Sequence, residues 1–272
     1  MNKFMLCENL WLLKSLSIEG YYPSVTTNQK YHHMTKSSVL FCGALFTFAA
    51  VQCTNAQVIA DWTFETSQPG VVTLPAAPGA GVAFTSFSPE VGSGTASALH
   101  ATAATYSSPA GNGSAHSFSA NNWTVGDYFQ FQVSTLGFTG ISVSYDQISS
   151  GTGPAQFKLQ YSTDGSTFST FGSPYTVIAN TSPNNWSSGT PIFTSSYSFD
   201  LSSITAIDNA ANVYFRLVND GTTSANGGTV ASGGTDRVDN FTVSVNPVPE
   251  PTTLALVAFG GMSALLAFRK RS

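Results

Sequence analysis

Two kinds of side chain in this sequence are of types, and in settings, that could do chemistry. The first kind offers oxygen: Asp61 and Glu65 stand near one end of the stretch 57–247, and Asp236, Asp239 and Asn240 near the other. A hard cation such as Ca²⁺ takes about six to eight oxygens from carboxylates, amides and backbone carbonyls. If the two ends pair as neighbouring strands, Glu65 and Asp239 become the candidate ligands of a structural calcium ion. The competing reading is turn and edge polarity, with Asp239 capping backbone amides or pairing with Arg237. The second kind is aromatic: Trp123 follows Asn121-Asn122 and Trp186 follows Asn184-Asn185, both loop-like polar contexts. A flat ring that covers the apolar face of a sugar, with Asn and Asp nearby for its hydroxyls, is the chemistry of a glycan contact. Against that stands the tendency of aromatic rings in a sandwich to be core.

Catalysis has little to stand on. His100 and His116 are the histidines of 57–247, both amid Ala, Ser and Gly, with no nucleophile elbow and no zinc-ligand spacing. Glycoside hydrolysis needs two carboxylates flanking the scissile bond. The stretch holds eleven acids, and nothing in their spacing singles out a pair, so no catalytic residue is assigned.

The elements that must position these residues read as strands. Phe129, Phe131 and Val133 alternate with polar partners, as do Ile141, Val143 and Tyr145, then Phe157, Leu159 and Tyr161, then Val213, Phe215 and Leu217. Period-two alternation signals half-buried antiparallel strands, and no stretch of 57–247 sustains a 3.6 period. The last run places Val238, Asn240, Thr242 and Ser244 on one face and Asp239, Phe241, Val243 and Val245 on the other. Asp164-Gly165 reads as a tight hairpin, because Gly supplies the positive φ such turns need. Short strands with polar turns predict an all-β fold, an antiparallel β-sandwich of jelly-roll type over 57–245; by analogy with other such sandwiches, 58–64 and 238–245 are expected to pair as neighbouring strands.

Charge is unevenly placed along the 272 residues, only 9% of which are charged. The stretch 57–247 sets three cations, Lys158, Arg216 and Arg237, against its eleven acids and is therefore −8. Such a domain lacks the clustered Lys and Arg that duplex binding uses to release counterions, which excludes a nucleic-acid partner. Basic charge sits instead at the two ends, beside apolar runs.

Met34-Thr35-Lys36, the apolar stretch Val39 to Val51 and Thr54-Asn55-Ala56 have the parts of a secretory signal peptide. The expected cut by signal peptidase lies between Ala56 and Gln57. Residues 34–56 are then the signal helix, and 1–33 an upstream extension from a misassigned start. A genuine long leader is the other reading. All three cysteines, Cys7, Cys42 and Cys53, precede the cut, leaving the mature domain without thiol or disulfide chemistry.

At the other end a Pro-rich spacer, 246–251, leads to an apolar run from Thr252 to Phe268 and a basic close, Arg269-Lys270-Arg271-Ser272. A helix over that run is roughly 25 Å long, the short end of a membrane span. The basic cluster would stay cytoplasmic, so the preceding domain faces outward. Val248-Pro249-Glu250-Pro251, the apolar run and Arg269-Lys270-Arg271, in that order, resemble the PEP-CTERM sorting tail of exported proteins of Gram-negative bacteria. This tail is also known as the ice-binding protein C-terminal motif. The resemblance implies recognition of the Pro-Glu-Pro element by an exosortase-type enzyme, transient membrane anchoring through the helix at 252–272, removal of that tail, and delivery to the cell surface or matrix. A simple C-terminal anchor is the plainer alternative.

The body is loosely similar to the lectin-like and carbohydrate-binding sandwich domains found ahead of such tails. The residues that carry the likeness are Ala60-Asp61-Trp62-Thr63-Phe64-Glu65, Gln160-Tyr161-Ser162-Thr163-Asp164-Gly165 and Arg237-Val238-Asp239-Asn240-Phe241. The resulting expectation is a non-enzymatic surface or matrix protein that binds extracellular polysaccharide or acts structurally. The alternative is a secreted hydrolase of polysaccharide or phosphoester substrates. Ice binding would require rows of Thr at regular spacing, and 57–247 shows no such repeat.

Overall fold

Alternation along the strands decides the architecture: each strand has one apolar face to bury, and two sheets bury them against each other. The computed structural model describes residues 56–74 and 82–247. The segment read as an upstream extension, 1–33, all but Ala56 of the expected signal peptide, the cysteines and the tail from Val248 lie outside the described residues.

In chain order the strands are β1 (Gln57–Trp62), β2 (Val72–Leu74), β3 (Val82–Phe87), β4 (Val91–Gly92), β5 (Gly94–His100), β6 (Ala104–Ser107) and β7 (Phe118–Asn121). They continue as β8 (Tyr128–Val133), β9 (Phe138–Ser149), β10 (Gln156–Ser162), β11 (Ser169–Thr176), β12 (Ser196–Asp200), β13 (Val213–Asn219) and β14 (Thr235–Pro247). An eight-stranded sheet runs β12-β9-β14-β7-β6-β2, with β1 also on β14 and β4 on β1. The other sheet runs β11-β10-β13-β8-β5-β3. Every pairing between these strands is antiparallel. The fold is the antiparallel β-sandwich of jelly-roll type that the alternation predicts.

The expected pairing of the two ends is present, because β14 is thirteen residues long and shares one edge between two partners. Thr235–Val238 pair with β7, and Phe241–Val245 pair with β1. On the opposite edge β9 follows β14 through a bulge between Asp239 and Thr242. Asn240 absorbs the extra residue at φ +49°, a left-handed conformation that Asn tolerates and β-branched residues do not.

This bulge corrects one expectation from the sequence. Strict alternation set Val238 on the face opposite Phe241, yet both are fully buried in the core, with Val243 and Val245. An inserted residue resets the phase of a strand, so Asp239 rather than Val238 points away from the core.

The core between the sheets is aromatic. Phe131 of β8 and Phe241 of β14 stack at 3.5 Å and 3°, one ring from each sheet. Trp62 of β1 meets both edge-on at 5.3 and 5.9 Å and donates its indole N–H to the Phe87 carbonyl at 3.0 Å. Tyr145 of β9 stacks on the far side of this group, 5.6 Å from Phe241. Each such ring contributes about 1.5–3 kcal/mol by burial, and well-set pairs add about 0.5–1.5 kcal/mol.

A second group holds a buried imidazole. His100 lies 4.3 Å from Trp123 and 5.5 Å from Tyr106, and its Nδ1 is 3.4 Å from Asp127 Oδ2 without hydrogen-bond geometry. Asp127 is engaged elsewhere, accepting from the Ala101 and Thr124 amides and the Thr124 hydroxyl. Burial of His100 disfavours its charged form and brings its pKa down to about 4, with Asp127 opposing.

Two tests follow from these features. The unfolded chain takes up a proton near the ordinary histidine value and the folded chain resists it, so acid destabilises the fold as pH falls from about 6.5 to about 4. In denaturant titrations, His100→Phe should gain about 3 kcal/mol relative to the parent on going from pH 7 to pH 4; a pH-independent difference would contradict this. At the bulge, Asn240→Val should cost about 1–2 kcal/mol more than Asn240→Gly, and equal costs would mean that the left-handed backbone is not needed.

Candidate functional site

The outer face of the six-stranded sheet gathers the side chains that the core rejects. Phe129 and Phe131 of β8, Phe157 and Leu159 of β10, and Phe215 and Leu217 of β13 are fully buried. Their neighbours Tyr128, Gln130, Gln160, Tyr214 and Arg216 are left on the opposite face, half-buried. Register then aligns them across strands. Thr170 pairs with Gln160, Gln160 with Arg216, Arg216 with Gln130, and Gln130 with Ser97, giving one row over β11, β10, β13, β8 and β5. The flanking rows are Lys158, Val218, Tyr128 and Leu99 on one side and Ser162, Tyr214, Gln132 and Thr95 on the other.

Arg216 is the centre of this face. Its guanidinium carbon lies 3.9 Å from the centre of the Tyr128 ring and 3.4 Å from that of Phe168, and Nε donates to Gln130 Oε1 at 2.8 Å. Two aromatic faces and one amide fix its plane. Partial burial draws its pKa down from the usual arginine value, with Tyr128 acting the other way, and a guanidinium stays charged. Of the other two cations of the domain, Lys158 is paired with Asp220 at 2.6 Å, and Arg237 donates to the Ala110 carbonyl at 2.7 Å.

The β10–β11 hairpin delivers Phe168 to this place. Asp164 accepts the Ser166 and Thr167 amides at 2.8 and 2.7 Å and the Ser162 hydroxyl at 2.8 Å, which holds its carboxyl well below the usual range. Gly165, at φ +72°, lets the tip close on the sheet, since a Cβ there would stand 3.0 Å from the Tyr214 ring. The expected Asp164-Gly165 turn therefore also builds one wall of the face.

The two tryptophans singled out in the sequence are placed otherwise. Trp123 is 4% exposed, packs on His100, Phe129 and Phe157, and donates to the Ala120 carbonyl at 2.9 Å. Trp186 is 6% exposed, donates to Ser195 Oγ at 2.9 Å, and has the Arg237 guanidinium 5.6 Å from its ring. Both rings are enclosed by protein, so neither offers a face on which a sugar can stack; polar neighbours in sequence misrepresented their burial.

Glu65 and Asp239 are brought to one loop, 109–116. The His116 amide donates to Glu65 Oε1 at 2.8 Å; the Asn112 amide and Ser114 hydroxyl donate to Asp239 Oδ2 at 2.8 and 2.7 Å. The Asn240 backbone N–H donates to Asp239 Oδ1 at 2.8 Å, and burial pushes the Asp239 carboxyl up to about 6. The loop thus meets both carboxylates with donors, whereas calcium requires a shell of acceptors. Among the described residues no three His, Cys, Asp or Glu side chains converge. As arranged, these residues do not fit the expected ion; they staple the loop to the sheet. Asp61 instead accepts from Thr242 Oγ1 at 2.9 Å, and Asp236 is buried with Gln147 and Ser149.

Sequence reading missed Arg216 and its row, although the signal was present: the runs at 127–133, 157–161 and 213–217 each put a long polar residue outward. What single runs lack is the register that sets Gln160, Arg216 and Gln130 side by side.

No curated protein matches the chain. Among solved structures, it is similar to the CBM22-1–CBM22-2 tandem domain of Paenibacillus barcinonensis Xyn10C, with 10% identity, 73% of this chain and 49% of that one covered, and a TM-score of 0.42. It is also similar to the CBM22-1–GH10 modules of Clostridium thermocellum xylanase 10B, with 14% identity, coverage of 72% and 30%, and a TM-score of 0.38. The K3 adhesin domain of Lys-gingipain from Porphyromonas gingivalis gives 16% identity, coverage of 69% and 98%, and a TM-score of 0.36. The chain spans less than half the length of the first two. None of these likenesses transfers a role to this chain. Among the described residues no helix is long and apolar enough to cross a membrane. Residues 247–271 match the PEP-CTERM protein-sorting motif, and that motif implies export, transient anchoring in the membrane and processing by exosortase-type machinery.

Proposed function

We propose that this is an exported cell-surface or extracellular-matrix protein whose sandwich binds carbohydrate, without catalysis, on the outer face of its six-stranded sheet. The observation that supports this best is the central row, where Gln160, Arg216 and Gln130 stand on adjacent strands beside the rings of Tyr128 and Phe168. Adjacent strands lie about 4.8 Å apart, so the row presents amide and guanidinium groups at intervals suited to successive hydroxyls. Amides both donate and accept, and the guanidinium donates from its free edge. The carboxylates at the margin of the three rows are both engaged, Asp220 by Lys158 and Asp164 by the hairpin amides, which favours binding over hydrolysis, since a glycosidase needs two free to act. The protein-sorting motif at 247–271, which implies export, supports a ligand met outside the cell.

A glycan array probed with and without EDTA tests this. Arg216→Met keeps bulk between the two rings but removes the charge and the donors. It should weaken binding at least about tenfold, while Trp186→Phe and EDTA leave it unchanged. Binding that survives Arg216→Met, or that is lost with EDTA or in Trp186→Phe, would contradict the reading. Cleavage of a bound glycan would favour the hydrolase instead.

A further inference from the structure

The opposite side of the sandwich has a concavity of different chemistry. On the outer face of the eight-stranded sheet, Ser144 and Asp146 of β9, Ser196 and Ser198 of β12, and Asn240 and Thr242 of β14 line an open groove of about 330 Å³. Tyr145 and Tyr197 also border it, but their rings turn into the core, where Tyr197 stacks on Tyr145 and Tyr145 on Phe241. What faces the groove is hydroxyl, amide and a single carboxylate.

That carboxylate is held in place. Asp146 Oδ1 accepts from the Ser196 hydroxyl and Oδ2 from Asn240 Nδ2 at 2.8 Å, and the bulge at Asn240 is what turns that amide toward it. Each oxygen keeps a further lone pair for a donor from outside. Ser144 and Ser198 are directly paired across β9 and β12, and each hydroxyl can donate once and accept twice. β12 is the edge strand of its sheet, so the groove runs out over an edge and need not enclose the end of a ligand.

The lining selects among ligand classes. It has no Lys or Arg to hold a phosphate or sulfate. One carboxylate, already flanked by two donors, is too little for a hard cation. The only aromatic side chains that border it, Tyr145 and Tyr197, pack toward the core, and a purely apolar ligand would leave the hydroxyls and the carboxylate unpartnered. A compound rich in uncharged hydroxyls fits, and the volume, at the small end for ligand sites, suits a short saccharide segment.

We propose that this groove is a second binding site, separate from the Arg216 face, for a short segment of uncharged polysaccharide held by hydrogen bonds to Asp146, Ser144 and Ser198. The two outer faces of a sandwich point away from each other. Where both are occupied, one molecule bridges two polysaccharide chains and gains avidity on a polymer bearing many copies of the ligand; that consequence, unlike the groove itself, rests on the function proposed above.

The test is amide-resolved NMR of the full-length chain titrated with uncharged xylo-, cello-, laminari- and mannohexaose. At least one probe should shift the amides of Ser144, Asp146 and Ser198, and the shifts should persist in Arg216→Met. Ser198→Phe, at an exposed edge position, fills the groove and should weaken them at least about tenfold, as should Asp146→Asn, which retains the shape of the side chain. Failure of every probe to move these amides, an unchanged affinity in both variants, or the same shifts produced by Ca²⁺ alone would overturn the proposal. Shifts at these amides with none along the Gln160, Arg216 and Gln130 row of the parent protein would overturn the other face and leave this one standing.

Discussion

The phase of β14 is the constraint on which the rest of the sandwich depends. One extra residue, Asn240 at φ +49°, sits between Asp239 and Thr242, and with it both Val238 and Phe241 reach the core. Phe241 then meets Phe131 face to face across the two sheets, with Trp62 against both edges. Without the inserted residue, the two halves of the strand would direct their apolar side chains to opposite faces. The same residue shapes the surface: Asp239 turns outward to staple loop 109–116, and the Asn240 side chain steadies Asp146.

Sparse charge gives each ionisable group a definite role. Lys158 and Asp220 neutralise one another, Arg237 is bound to the loop above it, and Arg216 stands between rings. Two buried groups act on stability in opposite senses. His100, brought down to about 4, costs stability as pH falls, whereas Asp239, pushed up to about 6, costs stability as pH rises through the range between its ordinary value and about 6. Between about pH 4 and 6 the two partly offset one another. Apart from carboxylates such as Asp146, the two rows of side chains described on the outer faces are mostly amide and hydroxyl, groups that recognise by direction and number of hydrogen bonds more than by attraction at a distance.

Local signals carried much of this fold. The alternating runs at 127–133, 157–161 and 213–217 are strands with the apolar phase inward, Asp164-Gly165 is a hairpin turn, and the chain ends of the domain pair. The sorting tail was legible because its three parts are contiguous in sequence. The proposed binding face was not, since its row is composed of residues from five strands and exists only once register is set. Trp123 and Trp186 misled for the converse reason: their polar neighbours are turn residues, and the rings themselves anchor those turns to the core through bonds to Ala120 and Ser195. Glu65 and Asp239 did come to one place, but the loop between them brought N–H groups, which composition could not foretell.

The central claim is that sheet register, by aligning Gln160, Arg216 and Gln130, makes a carbohydrate-binding face. A crystal structure of the protein with a glycan that it retains on an array tests this most directly. The account predicts sugar density lying across that row, with hydroxyls within hydrogen-bonding distance of the Arg216 guanidinium and the Gln130 and Gln160 amides. Density seated instead on Trp186 or at loop 109–116, with the Arg216 row bare, would contradict it.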